Sequence, residues 1–180
     1  AASDVYKRQL LRTKTAHDFA LYKPGTLLRR IERRMALAAV PDIGRYLEMV
    51  QQDAGELDLL AKDLLINVTG FFRDPKAFEL LAREVIPDLV RRQPSDRPLR
   101  IWVAGCSTGE ETYSLAMLFL EEIAAAKRNV RLQAFASDVD DDALEVARNG
   151  LYPEAIRKDV SPARLERFFV VPLRQEQLAC

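Results

Sequence analysis

Two glycines and two glutamates in the stretch GCSTGEE, residues 105–111, have the types and spacing of a ligand-binding turn. An apolar run ends at Gly105, the chain turns through Cys-Ser-Thr-Gly, and a helical pattern opens with Glu110 and Glu111. In α/β proteins, a glycine turn between a strand and a helix is where nucleotide-like ligands are held. The spacing here is G-x-x-x-G, which differs from the G-x-G-x-x-G pattern that places a pyrophosphate at a helix N-terminus.

The paired acids of this turn indicate the charge of the ligand. Carboxylates in the first helical turn are favourable for an empty helix end, but they would repel a pyrophosphate that came close. We therefore expect a nucleoside that carries positive charge and no phosphate, and S-adenosylmethionine, with its sulfonium and ammonium groups, fits. The alternative is structural: Ser107 with Glu110, or Thr108 with Glu111, has the spacing of a capping box, which is a common pattern.

A further acid, Asp138, ends a second strand pattern at FASD. An acid at that place in an α/β fold typically accepts hydrogen bonds from ribose hydroxyls. The structural alternative is that Asp138 or Asp140 caps the helix that follows. Because four acids crowd this helix start, we expect one of them to be the cap and not all of them.

The segment NVTGFFRD, residues 67–74, places polar side chains around two adjacent phenylalanines. Arg73 offers a rigid guanidinium fork suited to a carboxylate, either that of the cofactor's methionine part or that of a substrate. Read as a plain loop, the aromatic pair would anchor the segment on the core while Asn67, Thr69 and Arg73 faced water.

The elements that must position these residues divide into a helical part and an α/β part. Residues 10–66 are predicted to form an all-α domain, and residues 67–180 an α/β domain with parallel strands. The patterns predict helical structure from Asp18 to about Gln52, with a break at Pro41 and a restart at Asp42 as N-cap, and a helix over 54–67. They also predict a helix from Asp74 as N-cap to about Arg92, a buried strand over 99–104, a second strand over 130–137, and helices over 110–126 and 138–150. Because a parallel sheet needs more than two strands to bury its core, we expect the α/β domain to be incomplete at its C-terminus.

Charge and cysteine content limit the class of protein. The net charge is zero, yet residues 1–40 hold nine Lys and Arg against three Asp and Glu, which predicts an acidic partner for this end. Two cysteines are too few for a disulfide framework and favour a reducing cytoplasm. No apolar run approaches the ~20 residues of a membrane span and no secretory leader is recognised, so no membrane insertion is expected. Residues 1–9 show no period.

Three stretches resemble successive motifs of the chemotaxis receptor methyltransferases of the CheR type: LLINVTGFFRDPKAFELL, RIWVAGCSTGEETYSLAM and AFASDVDDDALEVARNGLY. The resemblance covers residues 22–169. It implies an N-terminal all-α domain followed by the first part of a Rossmann-like, class I methyltransferase domain. It also implies methylation of chemoreceptor glutamates with S-adenosylmethionine. Two further segments, YKPGTLLRRIERRM and YPEAIRKDVSPARLERFF, are most similar to the methyltransferase module found in fusions with CheB-type methylesterase and sensory domains.

The resemblance also implies roles for individual residues. It implies a cofactor-binding set and gives Arg73 the catalytic role as well; the set is Asn67, Thr69, Arg73, Gly105, Glu111 and Asp138. It further implies a basic surface for the acidic methylation region on the cytoplasmic helices of receptors, formed by Arg29, Arg30, Arg33 and Arg34. A solvated helix face is the alternative for these arginines. No metal and no nucleic acid is implied.

Three rival functions remain open from the sequence. The first is an inactive module that binds S-adenosylmethionine or a partner without chemistry. The second is a nucleic-acid methyltransferase, whose binding would weaken steeply with salt, although the target-base motif of that class is not visible. The third is a nicotinamide dehydrogenase, which the glycine spacing and the paired acids disfavour. We expect the 180-residue chain to be inactive by itself.

Overall fold

A computed structural model describes residues 22–65, 67–170 and 177–179, the last three by their backbone. The start of the helical pattern at Asp18, residues 1–9 and Cys180 lie outside the described residues. The chain separates into two compact units, residues 1–66 and residues 67–180. Among the described residues, no helix combines the length and the apolar character needed to cross a bilayer.

The described part of the first unit consists of helices with clear start signals. They are α1 (Pro24–Leu37), α2 (Ile43–Gln52) and α3 (Ala54–Leu64). Asp42 caps α2 by accepting from the Arg45 N–H, and Asp53 caps α3 in the same way from Gly55 and Glu56. The prediction of a helix to residue 67 was wrong, because Leu65 takes extended backbone and ends α3 three residues earlier.

Apolar side chains from all three helices form the core of this unit. They are Leu27, Ile31, Tyr46, Val50, Leu57, Leu60 and Leu64. Burying each aliphatic side chain of this size contributes about 1.5–3 kcal/mol relative to leaving it in water.

A buried ion pair joins α1 to α3. Arg34 donates through Nε and Nη2 to the two carboxylate oxygens of Glu56, at 3.0 and 2.6 Å, and the Tyr46 hydroxyl donates to the same carboxylate at 2.7 Å. The Arg34 hydrogen bonds lower the pKa of Glu56, while burial raises the pKa of Tyr46. The prediction that Arg34 belongs to a free basic surface was wrong, because its guanidinium is committed to Glu56 and is only 12% exposed.

The second unit holds the α/β elements. Its helices are α4 (Pro75–Leu80), α5 (Ile86–Arg92), α6 (Glu110–Ala125), α7 (Asp141–Asn149) and α8 (Pro162–Phe168), with a 3₁₀ turn over Glu154–Lys158. Its strands are β1 (Leu99–Ala104), β2 (Leu132–Ser137), β3 (Leu151–Pro153) and β4 (Gln177–Ala179). The predicted α/β class with a parallel strand pair is confirmed.

The parallel pair β1–β2 brings the ends of both strands to one edge. The register runs from Leu99 opposite Leu132 to Ala104 opposite Ser137. Leu99 packs in a core with side chains of α5 and α6. The prediction that β1 is a buried strand was wrong for its other face, where Trp102 is 72% exposed, because no described element covers that face. Its partner in register on β2, Phe135, is 44% exposed. β2 also begins two residues later than predicted.

One helical segment, residues 75–92, changes pitch in its middle. Asp74 caps it and Pro75 occupies its first position, as the sequence predicts. Residues Leu81–Val85 form a π-helical turn between α4 and α5. Pro87 explains this turn, because its ring has no N–H for the Arg83 carbonyl and would clash with it in a regular α-helix. Ile86 and Val90 then face the core.

Prediction for the buried pair. Replacing Arg34 by Met should lower the unfolding free energy by about 3 kcal/mol, because it leaves the Glu56 carboxylate buried without its cation. The matched variant Arg33→Met removes an arginine that is 57% exposed and 3.5 Å from Asp63, and should cost less than about 1 kcal/mol. Urea unfolding of the chain near neutral pH measures both.

The pH dependence gives a further check on the same pair. Because the folded-state pKa of Glu56 is lowered, the contribution is present above the ordinary carboxyl value of 4.5 and is lost as pH falls below it. The difference between wild type and Arg34→Met should therefore shrink in acid. Equal costs for Arg33→Met and Arg34→Met would contradict the pairing.

Candidate functional site

The glycine turn after β1 is held against the end of β2. The N–H groups of Gly105 and Cys106 both donate to the Ser137 carbonyl, at 2.7 and 3.1 Å. Gly105 has φ 72°, and a side chain there would meet no atom within 4 Å. Gly109 has φ 97°, and a Cβ there would lie 2.9 Å from both Ala147 and the Tyr152 hydroxyl. Gly109 is therefore required for packing, while Gly105 leaves open space beside the turn.

Asp138 fastens the middle of the turn. Its Oδ2 accepts from the Ser107 N–H at 2.7 Å, and its Oδ1 accepts from the Asp140 N–H at 3.0 Å. Ser107 is buried and has φ 48°, an uncommon conformation for a residue with a side chain. A carboxylate has about four acceptor positions. Two are used here, so Asp138 keeps capacity for further donors such as ribose hydroxyls.

The two glutamates at the start of α6 behave differently. The Glu110 carboxylate accepts from the Thr108 hydroxyl at 2.6 Å, whereas Glu111 is exposed and its carboxylate has no hydrogen bond or ion pair to any described residue. The alternative of a capping box was wrong for both pairs. Gly109 is the N-cap of α6 and no side chain caps the helix, because the Ser107 and Thr108 hydroxyls donate to Asn67 and Glu110 instead.

Acidic side chains set the electrostatics of the turn. Cys106 is buried, and burial raises the pKa of its thiol, with the negative charges of Asp138 and Glu111 adding to the rise. The thiol therefore stays protonated near neutral pH and is not an activated nucleophile. The same charges make the turn a favourable place for a cation.

The segment 67–74 reaches the turn through Asn67. Its Nδ2 donates to Asp140 Oδ2 at 2.5 Å, and its Oδ1 accepts from the Ser107 hydroxyl at 3.1 Å. Thr69 is half-buried. Arg73 is exposed and donates to the Val68 carbonyl within its own segment. The structure thus brings Asn67 to the glycine turn and shows no such contact for Thr69 or Arg73.

Phenylalanine anchors this segment and also supports the turn. Phe71 is buried and packs edge-on against Tyr152 and Phe169, with ring centroids 4.9 and 5.7 Å apart. The Tyr152 hydroxyl donates to the Thr108 carbonyl at 2.7 Å. One aromatic residue therefore connects the anchored segment to the turn.

Sequence reasoning missed Ser107, Asp140 and Tyr152 as supports of the site. Asp140 was considered only as a helix cap, which it is: it accepts from Asp142 and Ala143. The acidic residues around Asp140 in the sequence give no indication that its carboxylate accepts from Asn67. Tyr152 lies 44 residues from its acceptor Thr108, and no pattern in the sequence links the two.

A separate cavity of about 340 Å³ lies beside α4 and α8. It is lined by Phe71, Phe72, Phe78, Leu118 and Arg164 among others. Arg164 stacks on Phe72 at 4.4 Å and forks to Glu121 at 2.8 and 2.9 Å. No predicted site residue lines this cavity, so we place the site at the glycine turn, where ligands of open α/β sheets bind.

Parallel strands, a glycine turn and acids at both strand ends define the class of a nucleoside-binding α/β domain with an acidic cradle. The chain belongs to the CheR methyltransferase family. Residues 67–177 match the SAM binding domain of CheR methyltransferases, and residues 7–65 match their all-alpha domain. The resemblance found in the sequence is thereby confirmed, and S-adenosylmethionine is the cofactor of this domain.

Individual relatives agree with the family. The chain is 35% identical to a chemotaxis protein methyltransferase of Escherichia coli over 94% of its length and 58% of that protein. It is 38% identical to chemotaxis protein methyltransferase 2 of Pseudomonas aeruginosa, over 91% of the chain and 56% of that protein. It is also 48% identical, over 84% of the chain, to 16% of an uncharacterized 104.1 kDa protein of Rhodobacter capsulatus. The chain thus spans little more than half of the named methyltransferases.

The residues present fit this cofactor. The open side of Gly105 admits a ligand, Asp138 retains acceptor positions for hydroxyl donors, and the unpaired Glu111 favours a positively charged group. No lysine or arginine side chain donates to Asp138 or Glu111 among the described residues.

Prediction for the cofactor residues. In the full-length protein, Asp138→Ala and Arg73→Ala should each weaken S-adenosylmethionine binding at least about tenfold, which corresponds to about 1.4 kcal/mol. Asp138→Ala removes both an acceptor and the support of the turn. Titration calorimetry measures the affinity, with Glu145→Ala on the exposed side of α7 as the control. Unchanged affinity in both variants would remove these two assignments.

Proposed function

We propose that the protein containing this chain methylates glutamate side chains on the cytoplasmic helices of chemoreceptors. The observation that carries the proposal is the acidic turn from Gly105 to Glu111 within a domain of the CheR family. By its charge, this turn disfavours a pyrophosphate and favours a cationic cofactor. The relatives described above include chemotaxis protein methyltransferases, which supports a role in chemotaxis. The proposal places the protein in the cytoplasm.

This chemistry requires little from the protein besides binding and orientation. When bound, S-adenosylmethionine supplies a methyl group on a positively charged sulfur. A glutamate with its ordinary pKa of about 4.3 is already ionised near neutral pH and needs no general base. The residues of this chain then have to hold the methyl group and the attacking carboxylate in the orientation for transfer and to exclude water. Asp138, Glu111 and Asn67 are the residues that we assign to holding the cofactor, and Gly105 gives it room.

Arg73 is assigned to binding a carboxylate in this proposal. Its guanidinium is exposed and is held by a backbone carbonyl of its own segment. A guanidinium in that state keeps most of its five donors for a carboxylate. We assign its guanidinium to the carboxylate of the cofactor or of the glutamate substrate. We assign Thr69, from the same segment, to the cofactor site as well.

Receptor binding is assigned to the exposed arginines of α1. The helix buries Leu27 and Ile31, so the opposite side carries its cations outward. Arg29 and Arg33 are exposed and Arg30 is half-exposed. With Arg34 committed to Glu56, the basic surface consists of Arg29, Arg30 and Arg33. A surface of this kind accelerates encounter with an acidic partner and is sensitive to salt.

Prediction for the function. The full-length protein should transfer labelled methyl groups from S-adenosylmethionine to glutamates of receptor cytoplasmic fragments. The triple variant Arg29→Glu, Arg30→Glu, Arg33→Glu should lower kcat/KM for the receptor at least about tenfold at low salt, while calorimetry shows unchanged cofactor affinity.

The control carries the same change of charge elsewhere. Arg97→Glu, Arg131→Glu and Arg148→Glu replace three exposed arginines of the α/β unit and should leave receptor methylation near the wild-type rate. Equal losses in both triple variants would reject the α1 surface. Cofactor binding without any methyl transfer would instead identify an inactive binding module.

A further inference from the structure

Asp140 has a carboxylate whose two oxygens serve different parts of the α/β unit. The residue is only 7% exposed. Its Oδ1 accepts from the N–H groups of Asp142 and Ala143 at 3.0 and 3.2 Å and so caps α7. Its Oδ2 accepts from Asn67 Nδ2 at 2.5 Å. Capping explains the first oxygen, and the second is left for another function.

The second oxygen fixes the orientation of the Asn67 amide. A carboxylate only accepts hydrogen bonds, so the amide NH₂ group must face Asp140. The amide oxygen then faces the other way, where it accepts from the Ser107 hydroxyl at 3.1 Å. The two ends of an amide have nearly the same shape, and only their partners decide which way it points.

These bonds close a ring around the glycine turn. Asn67 binds Ser107, the Ser107 N–H binds Asp138, and Asp138 accepts from the Asp140 N–H, whose side chain returns to Asn67. Ser107 is held in this ring with φ 48°. The orientation of the Asn67 amide therefore depends on Asp140, the N-cap of α7, which lies after β2.

We propose that Asp140 is a positioning residue for cofactor binding, which acts by setting the orientation of the exposed Asn67 amide. In this orientation one N–H and one oxygen lone pair of Asn67 remain for a ligand, each at a fixed place. Reversing the amide exchanges the donor and the acceptor. The inference rests on the proposed function, since it concerns the S-adenosylmethionine site of the same domain.

The test is the variant Asp140→Asn in the full-length protein. The new Oδ1 can still cap α7, but an NH₂ group now faces the NH₂ group of Asn67, and the Asn67 amide turns over. S-adenosylmethionine affinity should fall at least about tenfold by calorimetry, the size of effect typical when a supporting hydrogen bond is lost, while the melting temperature changes by only a few degrees.

The matched control is Asp141→Asn, which removes the same charge from the neighbouring, exposed position of the same helix turn. Its affinity should equal that of wild type. An equal loss in Asp141→Asn would show that net charge at the helix start is what matters, and would overturn the proposal.

A swapped pair separates positioning from stability. The double variant Asn67→Asp, Asp140→Asn restores a hydrogen bond between the two positions, so its melting temperature should return toward wild type. Its cofactor affinity should stay low, because residue 67 no longer presents an N–H. Wild-type affinity in Asp140→Asn or in the double variant would overturn the positioning role. Absence of binding in the wild-type protein would overturn the proposed function itself, together with this inference.

Discussion

The hydrogen bond from the Ser107 N–H to Asp138 is the interaction on which the site depends. It joins the turn after β1 to the residue that follows β2, over a distance of 2.7 Å. Ser107 has a left-handed backbone conformation, which costs of order 1 kcal/mol for a residue with a Cβ. The bonds from Gly105 and Cys106 to the Ser137 carbonyl share in offsetting this cost. Because the parallel register places Ala104 opposite Ser137, the two strand ends arrive together and the turn can close on them.

The acceptor of this bond, the Asp138 carboxylate, also brings negative charge to the turn. Asp138 is needed to hold the backbone, and it therefore brings a carboxylate to the ligand edge whatever the ligand is. Glu111 adds a second carboxylate that has no partner among the described residues. A site built in this way favours a cationic nucleoside over a diphosphate, which agrees with the family to which the chain belongs.

Much of this could be read from the sequence because it depends on local patterns. The Asp74–Pro75 start, the Asp42 cap and the Gly150 helix end each follow from one or two residues and their backbone preferences. Contacts between distant residues were not predictable. The Arg34–Glu56 pair and the Asn67–Asp140 bond join positions 22 and 73 residues apart. The capping boxes were wrong for a related reason: the Ser107 hydroxyl donates to Asn67, 40 residues away, and a Cβ at the N-cap position Gly109 would lie 2.9 Å from Ala147 and from the Tyr152 hydroxyl.

The most direct measurement is a competition titration on the full-length protein. S-adenosylmethionine is titrated calorimetrically with and without a large excess of NAD, a nucleoside ligand of similar size that carries a pyrophosphate. If the acids at Asp138 and Glu111 select against phosphate, the dinucleotide leaves the S-adenosylmethionine affinity unchanged. Competitive displacement by the dinucleotide would contradict the account.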